Sequence, residues 1–463
     1  MATVSPFKGI FFNPDKISSL EDIVTPPYDV INEQEAADFL GKNPYSMIQL
    51  DLRNSGDENS DGEQRYTRAR DTFSNWQEEQ VLIRDKVPAI YLYYIDYLHP
   101  SGQRLTRKGL VALVELAEFS EGVVRPHEKT FDAVIDDRLR LMDSCQAQFS
   151  KVFSVFSDPA GHVFSTLENK REQEPICRLQ DTLGNTHTLW RVTDPEALAS
   201  VASFFKSRPV YIADGHHRYT TALQCRRRMA ERNGGISPDS PYNFIMMYLA
   251  CIEDEGMSIL PTHRLLDYPD KISADELAAR FAEGVEVQEI TGGSREVLIA
   301  EVLAAMEEET AVGSDSPAVT FGLYHPGEDR CFLLRVSQET IRHASILSDK
   351  QEVLKQLDVV ILSELFLGQY LGLDHQRIVR EKLVSYYSDP DAALDTAVKK
   401  SVSDEERTQL LFLLNPTRIR QVTEVADAGE IMPHKSTYFY PKILTGMLIN
   451  KLVADERIQR YPV

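Results

Sequence analysis

The sequence has few cysteines and no paired cysteine motif. Its five cysteines, at positions 145, 177, 225, 251 and 331, are widely spaced, and no two of them form a Cys-x-x-Cys pair. A disulfide-rich secreted fold and a cysteine cage for zinc both need closely spaced or evenly paired thiols, so both are excluded. We expect all five cysteines to be reduced thiols.

Long hydrophobic runs are also missing. The longest uninterrupted apolar stretch, counting Tyr and Cys as apolar, is Phe244–Ile252. It is far shorter than the ~20 residues that a membrane-spanning helix needs. The first residues lack a basic segment followed by an apolar one, which is the pattern of a secretory signal. We therefore expect a cytoplasmic location and no membrane partner.

Basic residues are fewer than acidic residues. The chain has 50 Lys and Arg against 71 Asp and Glu, which gives a formal net charge of −21. Such a charge repels phosphate backbones and anionic lipid, so we expect no nucleic-acid partner. A small anion can still bind, because a local pocket of N–H groups and basic side chains outweighs distant charges that salt screens.

Several common catalytic motifs are absent. The sequence contains no Walker A motif, no Gly-x-Gly-x-x-Gly after a strand, no Gly-x-Ser-x-Gly and no His-Glu-x-x-His. P-loop, dinucleotide-binding, α/β-hydrolase and zincin folds therefore lack support. A metal hydrolase could draw common ligands from His127, His216, His217, His263 and Asp214. Adjacent histidines in a turn diverge, however, which disfavours that alternative.

The chain has the composition of an ordered globular protein. It has 463 residues, of which 42% are hydrophobic and 26% charged, and this length suits two or three compact units. Short β-rich runs alternate with helical patterns, so we predict a mixed α/β fold. Predicted strands include Ser46–Leu52 and Phe244–Ile252, predicted helices include Tyr66–Glu79, and the polar stretch Asn54–Glu63 is predicted to be a loop.

The strongest local signal is Asp214-Gly215-His216-His217-Arg218. An apolar strand precedes it, Gly215 permits a tight turn, and a helical stripe of apolar residues begins at Tyr219. The five residues therefore lie where a helix begins, and the unpaired N–H groups there favour anions. Two histidines and an arginine add donors for phosphate oxygens. The simpler alternative is that Asp214 only caps the helix, but the five-residue combination favours an anion site.

The second signal is the loop Arg125–Thr130. It contains Glu128 between His127 and Lys129, and it leads into a helix near Asp136. A glutamate held in this way can act as a general base, which typically contributes ~10²–10⁴ to a rate. Taken alone, the same residues would more often form an ordinary surface loop.

Three weaker clusters place polar residues on proline-punctuated loops, where binding sites are often built. Their candidate residues are Tyr28 and Asp29, then Thr262, His263 and Arg264, and finally Lys435, Ser436 and Thr437. An acidic chain gains little from exposing several basic and hydroxyl groups on one loop. We therefore expect Met432–Lys442 to fold back onto the turn at Asp214–Arg218.

These motifs occur together in the order found in one family. In chain order they are Thr25-Pro26-Pro27-Tyr28-Asp29, Pro126-His127-Glu128, Asp214-Gly215-His216-His217-Arg218, Pro261-Thr262-His263-Arg264 and Lys435-Ser436-Thr437-Tyr438-Phe439. The sequence resembles a widespread prokaryotic family filed as a domain of unknown function and related to kinases of free serine. Its central segment is also similar to the ParB/sulfiredoxin fold.

The resemblance implies a mixed α+β architecture with additional segments around that core. We place soft boundaries near residues 105 and 265. The expected parts are an N-terminal α/β segment at 1–104, a ParB/sulfiredoxin-like nucleotide-binding core at 105–265, and a C-terminal α/β domain at 266–463 that returns to the site.

The resemblance also implies residue roles. Catalysis falls to Glu128, as base for the acceptor hydroxyl, together with His127 and Asp214. Phosphate binding falls to Gly215, His216, His217 and Arg218, Mg²⁺ binding to Asp214, and substrate binding to the three weaker clusters. His434 stands where the family more often has proline, which makes the part played by its loop less secure.

The implied activity is an ATP- or ADP-dependent kinase for a small hydroxy amino acid, with L-serine to O-phospho-L-serine as the best candidate. The alternatives are a nucleotide-binding or NTP-hydrolysing regulatory protein that recruits a protein partner, and a phosphohydrolase that transfers to water. The phosphoryl donor, the acceptor and the oligomeric state stay open.

Overall fold

The computed structural model describes residues 2–51, 62–311, 318–403 and 406–461. Helices and several sheets are interleaved along the chain, which confirms the predicted mixed α/β class. The ParB/sulfiredoxin-like assignment of the central segment stays a prediction. The chain forms two compact units: unit 1 comprises Met1–Ser258 with Pro441–Val463, and unit 2 comprises Ile259–Tyr440.

The strands are numbered in chain order. They are β1 (Val4–Ser5), β2 (Ile10–Phe12), β3 (Leu82–Arg84), β4 (Ile90–Leu98), β5 (Arg104–Glu115), β6 (Val124–Arg125), β7 (Ala147–Gln148), β8 (Val152–Phe156), β9 (Cys177–Gln180), β10 (Thr186–Val192), β11 (Val210–Asp214), β12 (Phe244–Cys251), β13 (Ser258–Leu260), β14 (His263–Tyr268), β15 (Glu286–Ile290), β16 (Val319–His325), β17 (Arg330–Val336), β18 (Val384–Tyr387), β19 (Thr408–Leu413), β20 (Tyr438–Tyr440) and β21 (Asn450–Lys451).

The α-helices are numbered in the same way. They are α1 (Glu33–Lys42), α2 (Ile48–Asp51), α3 (Gly62–Glu78), α4 (Asp132–Cys145), α5 (His162–Glu168), α6 (Pro195–Phe205), α7 (His216–Asn233), α8 (Ala274–Phe281), α9 (Arg295–Ala311), α10 (Gln338–His343), α11 (Glu352–Lys355), α12 (Asp358–Ile361), α13 (His375–Glu381), α14 (Pro390–Ser403) and α15 (Ile419–Asp427). A π-helical segment, Leu362–Tyr370, follows α12.

Helix starts follow the expected local chemistry. Asn32 precedes α1, where its side chain accepts the N–H of Glu35 and the Glu35 carboxylate accepts the N–H of Asn32. At the start of α6 the Asp194 side chain accepts the N–H of Ala197, and Pro195 occupies the first turn. These pairings satisfy N–H groups that a helix leaves unbonded at its start.

A large mixed sheet organises unit 1. Its strand order is β6-β11-β8-β12-β5-β4-β10-β9, and β1 adds to β5. The β11 strand pairs in parallel with β6 and antiparallel with β8, with an irregularity between Ile212 and Asp214. One face of the sheet is apolar and buries helices α5, α6 and α7. This packing fixes both the strand and the helix that flank the turn at Gly215.

The opposite face of this sheet is unusually polar and aromatic. It carries the buried side chains of Tyr91, Tyr93 and Tyr248, together with the fully buried Arg107. The Tyr93 hydroxyl contacts His187 Nδ1 at 2.8 Å and accepts the N–H of Leu444 at 3.3 Å. The C-terminal segment of unit 1 therefore packs on this face.

Unit 2 contains a second sheet, with the strand order β15-β17-β16-β19-β14-β18. Its pairings are antiparallel. One face packs against α9 and α14, and the other packs against α8, the π-helical segment and α15. Both faces are thus buried, and β14, the strand next to the β18 edge, carries the buried His263 and Arg264.

Two sequence-based expectations differ from the structure. The predicted strand Ser46–Leu52 contains helix α2, because its alternating apolar residues also suit one short helical turn. The predicted boundary near 105 falls at the start of β5, whose residues 104–111 pair with β4, so the sheet continues across that boundary. Most of the loop predicted at Asn54–Glu63 lies outside the described residues, and Glu63 belongs to α3.

Among the described residues, no helix combines the length and the apolar character that crossing a bilayer demands.

Candidate functional site

The turn between β11 and α7 has the geometry that the sequence predicts. Asp214 ends the strand, Gly215 has φ +96°, and α7 begins at His216. A Cβ atom at Gly215 would lie 2.8 Å from Arg218 Nε, so only glycine fits. Within the described residues, no side chain caps the start of α7. Binding of an anion by the N–H groups of this first turn stays a prediction.

Asp214 is held by two cations rather than capping the helix. Lys442 Nζ lies 2.9 Å from Asp214 Oδ2, and Arg218 NH2 lies 3.4 Å from Oδ1. Burial alone would raise the pKa of Asp214, but Lys442 and Arg218 more than offset this and hold it well below its usual range. Asp214 is therefore ionised throughout the physiological pH range and is a poor proton acceptor.

His127, His216 and Glu128 form a contiguous group. The His127 backbone N–H donates to His216 Nε2 at 3.2 Å, and the two rings are 4.6 Å apart and nearly perpendicular. Because Nε2 accepts, the proton of the neutral ring lies on Nδ1, which faces Glu128 Oε2 at 3.5 Å. Burial and the neighbouring His127 lower the pKa of His216 to about 3. Glu128 thus lies beside a neutral imidazole, although the 3.5 Å approach does not form a hydrogen bond.

Glu128 is also reachable from outside. Its side chain is 27% exposed, whereas the His216 side chain behind it is 1% exposed. A carboxylate that is partly exposed to solvent can accept a proton from a bound molecule.

His217 joins the turn to the Glu128 loop. Its Nε2 accepts the N–H of Phe131 at 3.0 Å, and its ring stacks on the Phe131 ring at 5.8 Å. Phe131 is the residue that precedes α4. The contact therefore fixes the end of the loop that presents Glu128, while phosphate binding by His217 stays a prediction.

Arg218 connects the turn at Gly215 to Lys151, the residue before β8. Its guanidinium donates to the Lys151 carbonyl and to Asp214. Burial would lower the pKa of Arg218, but Asp214 and Asp29 raise it above the ordinary value. The guanidinium stays charged and immobile.

Lys151 is a buried amine that sequence reasoning missed. Its Nζ donates to the Leu444 carbonyl at 3.1 Å and lies 5.7 Å from the centre of the Tyr93 ring. Burial, reinforced by the charge of Arg218, lowers its pKa to about 7. The available signal was a lysine directly before the apolar strand β8, which is too common to be diagnostic.

Tyr28 and Asp29 lie on the same side of unit 1 as Arg218. The Arg138 guanidinium lies 4.2 Å from the centre of the Tyr28 ring. Burial raises the pKa of Tyr28 to about 12, so its hydroxyl stays protonated. Both Tyr28 and the exposed Asp29 act electrostatically on Arg218. The structure therefore places the first motif near Arg218, while substrate binding by Tyr28 and Asp29 stays a prediction.

The other predicted substrate residues belong to unit 2, which is described separately. They are Thr262, His263, Arg264, Lys435, Ser436 and Thr437. The segment Met432–Lys442 is predicted to fold back onto the turn at Asp214. Its residue Lys442 belongs to unit 1 and contacts Asp214 there. The assignment of the unit 2 residues to the substrate site stays a prediction.

Within unit 2, two of these residues are deeply buried. His263 Nδ1 accepts the Leu414 N–H at 3.1 Å, and burial lowers the pKa of His263 to about 4. Arg264 NH1 donates to Ser363 Oγ at 3.2 Å, and its guanidinium lies 5.3 Å from the Tyr386 ring. The same Tyr386 ring meets His434 edge-on at 6.3 Å.

The donor set around Asp214 does not fit a resident metal ion. Both of its oxygens already face cations, from Lys442 and Arg218. In the described part of the chain, no group of three or more His, Cys, Asp or Glu side chains is arranged to hold a metal. Proteins commonly hold Mg²⁺ by one or two carboxylates together with substrate phosphates. We derive no step through a protein-bound ion.

Comparison with known proteins places this geometry in context. A family model described as Protein of unknown function (DUF1015) matches residues 4–360. A search of curated proteins finds no match.

Three solved structures show a weak likeness to the chain. A mutant free serine kinase in complex with AMP is 12% identical, with a TM-score of 0.32 over 71% of this chain and 87% of that chain. A conserved hypothetical protein from Pyrococcus furiosus is 14% identical, with a TM-score of 0.33 over 74% and 95%. SbnI with a C-terminal truncation, from Staphylococcus aureus, is 9% identical, with a TM-score of 0.31 over 72% and 85%. TM-scores this low support no inference about activity.

Proposed function

We propose a function from the site itself, because the chain belongs to a family, Protein of unknown function (DUF1015), whose description assigns no activity. The proposal is a nucleotide-dependent kinase that phosphorylates a small hydroxy amino acid. Free L-serine, giving O-phospho-L-serine, is the best candidate for the acceptor, and ATP or ADP is the donor. The motif resemblance described above supports this choice of acceptor.

One observation carries the proposal. A partly exposed carboxylate, Glu128, lies 3.5 Å from the neutral His216 at the start of a long helix. Arg218 and Lys442 lie around Asp214 at the same turn. A base next to phosphate-binding donors is the combination that phosphoryl transfer to a hydroxyl requires.

The reaction follows from these positions. The acceptor hydroxyl oxygen forms a bond to the terminal phosphorus of the nucleotide, and the bond from that phosphorus to the bridging oxygen breaks. The hydroxyl proton passes to the Glu128 carboxylate. The shortened nucleotide leaves with the bridging oxygen and its electron pair. His216 stays a neutral ring beside Glu128, because the pKa of His216 is about 3.

The cations have a separate role. The N–H groups at the start of α7 and the side chains of Arg218 and Lys442 would bind phosphate oxygens and stabilise charge in the transition state. Asp214 would act by holding Arg218 and Lys442 in place, since its depressed pKa makes it unsuitable as a base. Mg²⁺ enters the proposal only as the companion of the nucleotide phosphates.

A ³¹P NMR screen tests the proposal. ATP, ADP and pyrophosphate are each incubated with serine, threonine, homoserine or small polyols, with and without added Mg²⁺. We expect a new phosphomonoester signal that depends on a hydroxy amino acid. Inorganic phosphate released at the same rate without any acceptor would contradict the kinase and favour the NTP-hydrolysing alternative.

A further inference from the structure

A small cavity with both charged and apolar walls lies in unit 1 beside Arg218. Its volume is ≈ 40 Å³, and its walls include Tyr28, Asp51, Arg138, Ser150, Arg218 and Thr221. That volume has room for about three water molecules, or for a head group of a few heavy atoms. It cannot hold a nucleotide. Because Arg218 also contacts Asp214, the cavity adjoins the turn without being part of it.

The walls of this cavity carry both signs of charge. Arg138 NH1 lies 3.2 Å from Asp51 Oδ1, and the Ser150 hydroxyl donates to the other oxygen of Asp51. Arg218 supplies a second guanidinium, whose charge its neighbours reinforce. A group that carries an anion and a cation together would find a partner for each.

Thr221 provides an independent indication of an occupant. Its side chain is fully buried in the wall of the cavity, and its hydroxyl has no hydrogen-bond partner among the described residues. An unpaired buried hydroxyl is costly, so its presence on a residue that lines the cavity supports a polar occupant. The neighbouring Thr220 hydroxyl also lacks a partner within the described residues, but Thr220 does not line the cavity.

We propose that this cavity binds the head group of the acceptor amino acid, with its carboxylate toward Arg138 and Arg218 and its ammonium toward Asp51. The inference rests on the proposed function, since it names the place where that acceptor is held. Thr221 would donate to the carboxylate. The side-chain hydroxyl of the acceptor would then extend past Arg218 toward the phosphate site.

Calorimetry on the full chain tests the head-group requirement. The probes are L-serine, ethanolamine, which lacks the carboxylate, and 3-hydroxypropionate, which lacks the ammonium; each is titrated with and without ADP. We expect each analogue to bind at least about tenfold more weakly than L-serine, since each loses a charge-assisted hydrogen bond. Equal affinity for 3-hydroxypropionate or for inorganic phosphate would overturn the proposal in favour of a simple anion site.

A pair of threonine variants tests the cavity itself. Asp51→Asn would disturb the buried contact with Arg138, so the informative change is Thr221→Val, which removes a hydroxyl that makes no bond in the structure. We expect Thr221→Val to weaken L-serine binding about three- to tenfold, with a melting temperature no lower than that of the wild type and an unchanged ADP affinity. Thr220→Val is the matched control and should leave L-serine binding unchanged. Equal L-serine affinities in the two variants would overturn the cavity assignment.

The two proposals fail in different ways. If Thr221-dependent binding of L-serine is found but no phosphomonoester forms, the kinase is contradicted and the cavity stands. If the phosphomonoester forms with the same KM for serine in Thr221→Val and Thr220→Val, the cavity is contradicted and the kinase stands.

Discussion

Each unit contains one buried arginine from a predicted motif. The surroundings shift the pKa values of these two arginines in opposite directions. In unit 1, Arg218 lies among Asp214, Asp29 and Tyr28, and the carboxylates raise its pKa despite burial. In unit 2, Arg264 contacts Ser363 and the Tyr386 ring, and burial lowers its pKa. Among the described residues, Arg264 Nε and NH2 have no hydrogen-bond partner.

This difference shows that burial of a motif residue does not by itself identify a working site. Arg218 belongs to a group whose charges are already balanced, so its position is fixed before any ligand arrives. Fixed donors are what transition-state stabilisation needs, because they require no reorganisation when charge develops. Arg264 lacks that balance and contributes an uncompensated charge to its unit. Unit 1 is therefore the better candidate for chemistry.

The largest expected effect on activity is that of Glu128→Gln in unit 1. We expect kcat to fall by ~10²–10⁴, because the variant keeps the shape of the side chain but cannot accept the hydroxyl proton. Nucleotide affinity should change little. Steady-state kinetics and ADP calorimetry measure the two quantities. The exposed Glu174 in unit 1 offers the control Glu174→Gln, and equal kcat in both variants would remove Glu128 from the mechanism.

Asp214→Asn should give the next largest effect. Removing the carboxylate leaves Lys442 and Arg218 without their shared partner, and breaking a buried pair in this way costs about 3 kcal/mol. We also expect weaker nucleotide binding, because Asp214 holds both donors in place. Hydrogen exchange should show the loss in peptides of unit 1 and spare those of unit 2. Wild-type nucleotide affinity in this variant would contradict the proposed phosphate site.

Protonation of His216 and of His263 should have a smaller effect, on the stability of the unit that contains each of them. His216 and His263 have pKa values of about 3 and about 4, both below the ordinary value near 6.5. The unfolded chain therefore binds more protons than the folded chain below pH 6.5, and stability decreases as the pH falls. Between pH 6.5 and 5.5 each histidine should lower the free energy of unfolding by about 1 kcal/mol.

The histidine prediction can be checked one unit at a time. Thermal unfolding of His263→Gln across this pH range should show a shallower decrease than the wild type, and local hydrogen exchange should assign the change to unit 2. His216→Gln should do the same for unit 1. A pH dependence that neither substitution alters would contradict the assignment of both rings as neutral.

The smallest expected effect is that of Arg264→Met. Because Arg264 is buried without a carboxylate partner among the described residues, an apolar side chain of similar size should cause no loss in the free energy of unfolding. Denaturant unfolding followed by hydrogen exchange measures this in unit 2. A clear destabilisation would mean that the contrast with Arg218 is overstated and that unit 2 compensates Arg264 through its surroundings.

The sequence predicted the parts of the site that are local in the chain. The turn at Gly215 and the loop at Glu128 could be found because a strand, a glycine and a helical stripe follow one another within a few residues. Lys151, Asp51 and Arg138 could not, since their importance comes from contacts across long sequence separations. Asp51 and Arg138 meet across 87 residues, and Lys442 meets Asp214 across 228. Nothing in the local pattern marks such pairs.

The fold, too, could be predicted only where its signals are local in the chain. The apolar run at β12 was predicted because a short, fully apolar run between polar segments is typical of a buried strand. The stretch around α2 was not, because four residues of helix leave too little periodicity to distinguish them from a strand. The split into two units depends on the pairing of β4 with β5 and on the return of the C-terminus, neither of which has a local signature.

The discontinuity of unit 1 has a consequence for biosynthesis. Lys442 belongs to the segment Pro441–Val463, which follows the whole of Ile259–Tyr440 in the chain. At about 5–20 residues per second, synthesis of that intervening stretch takes roughly 10–40 s. During this time Asp214 and Arg218 have emerged from the ribosome without Lys442, β21 or the Leu444 carbonyl. The contact of Lys442 with Asp214 can thus form only after residues 259–440 have been made, so this turn acquires its second cation late in synthesis.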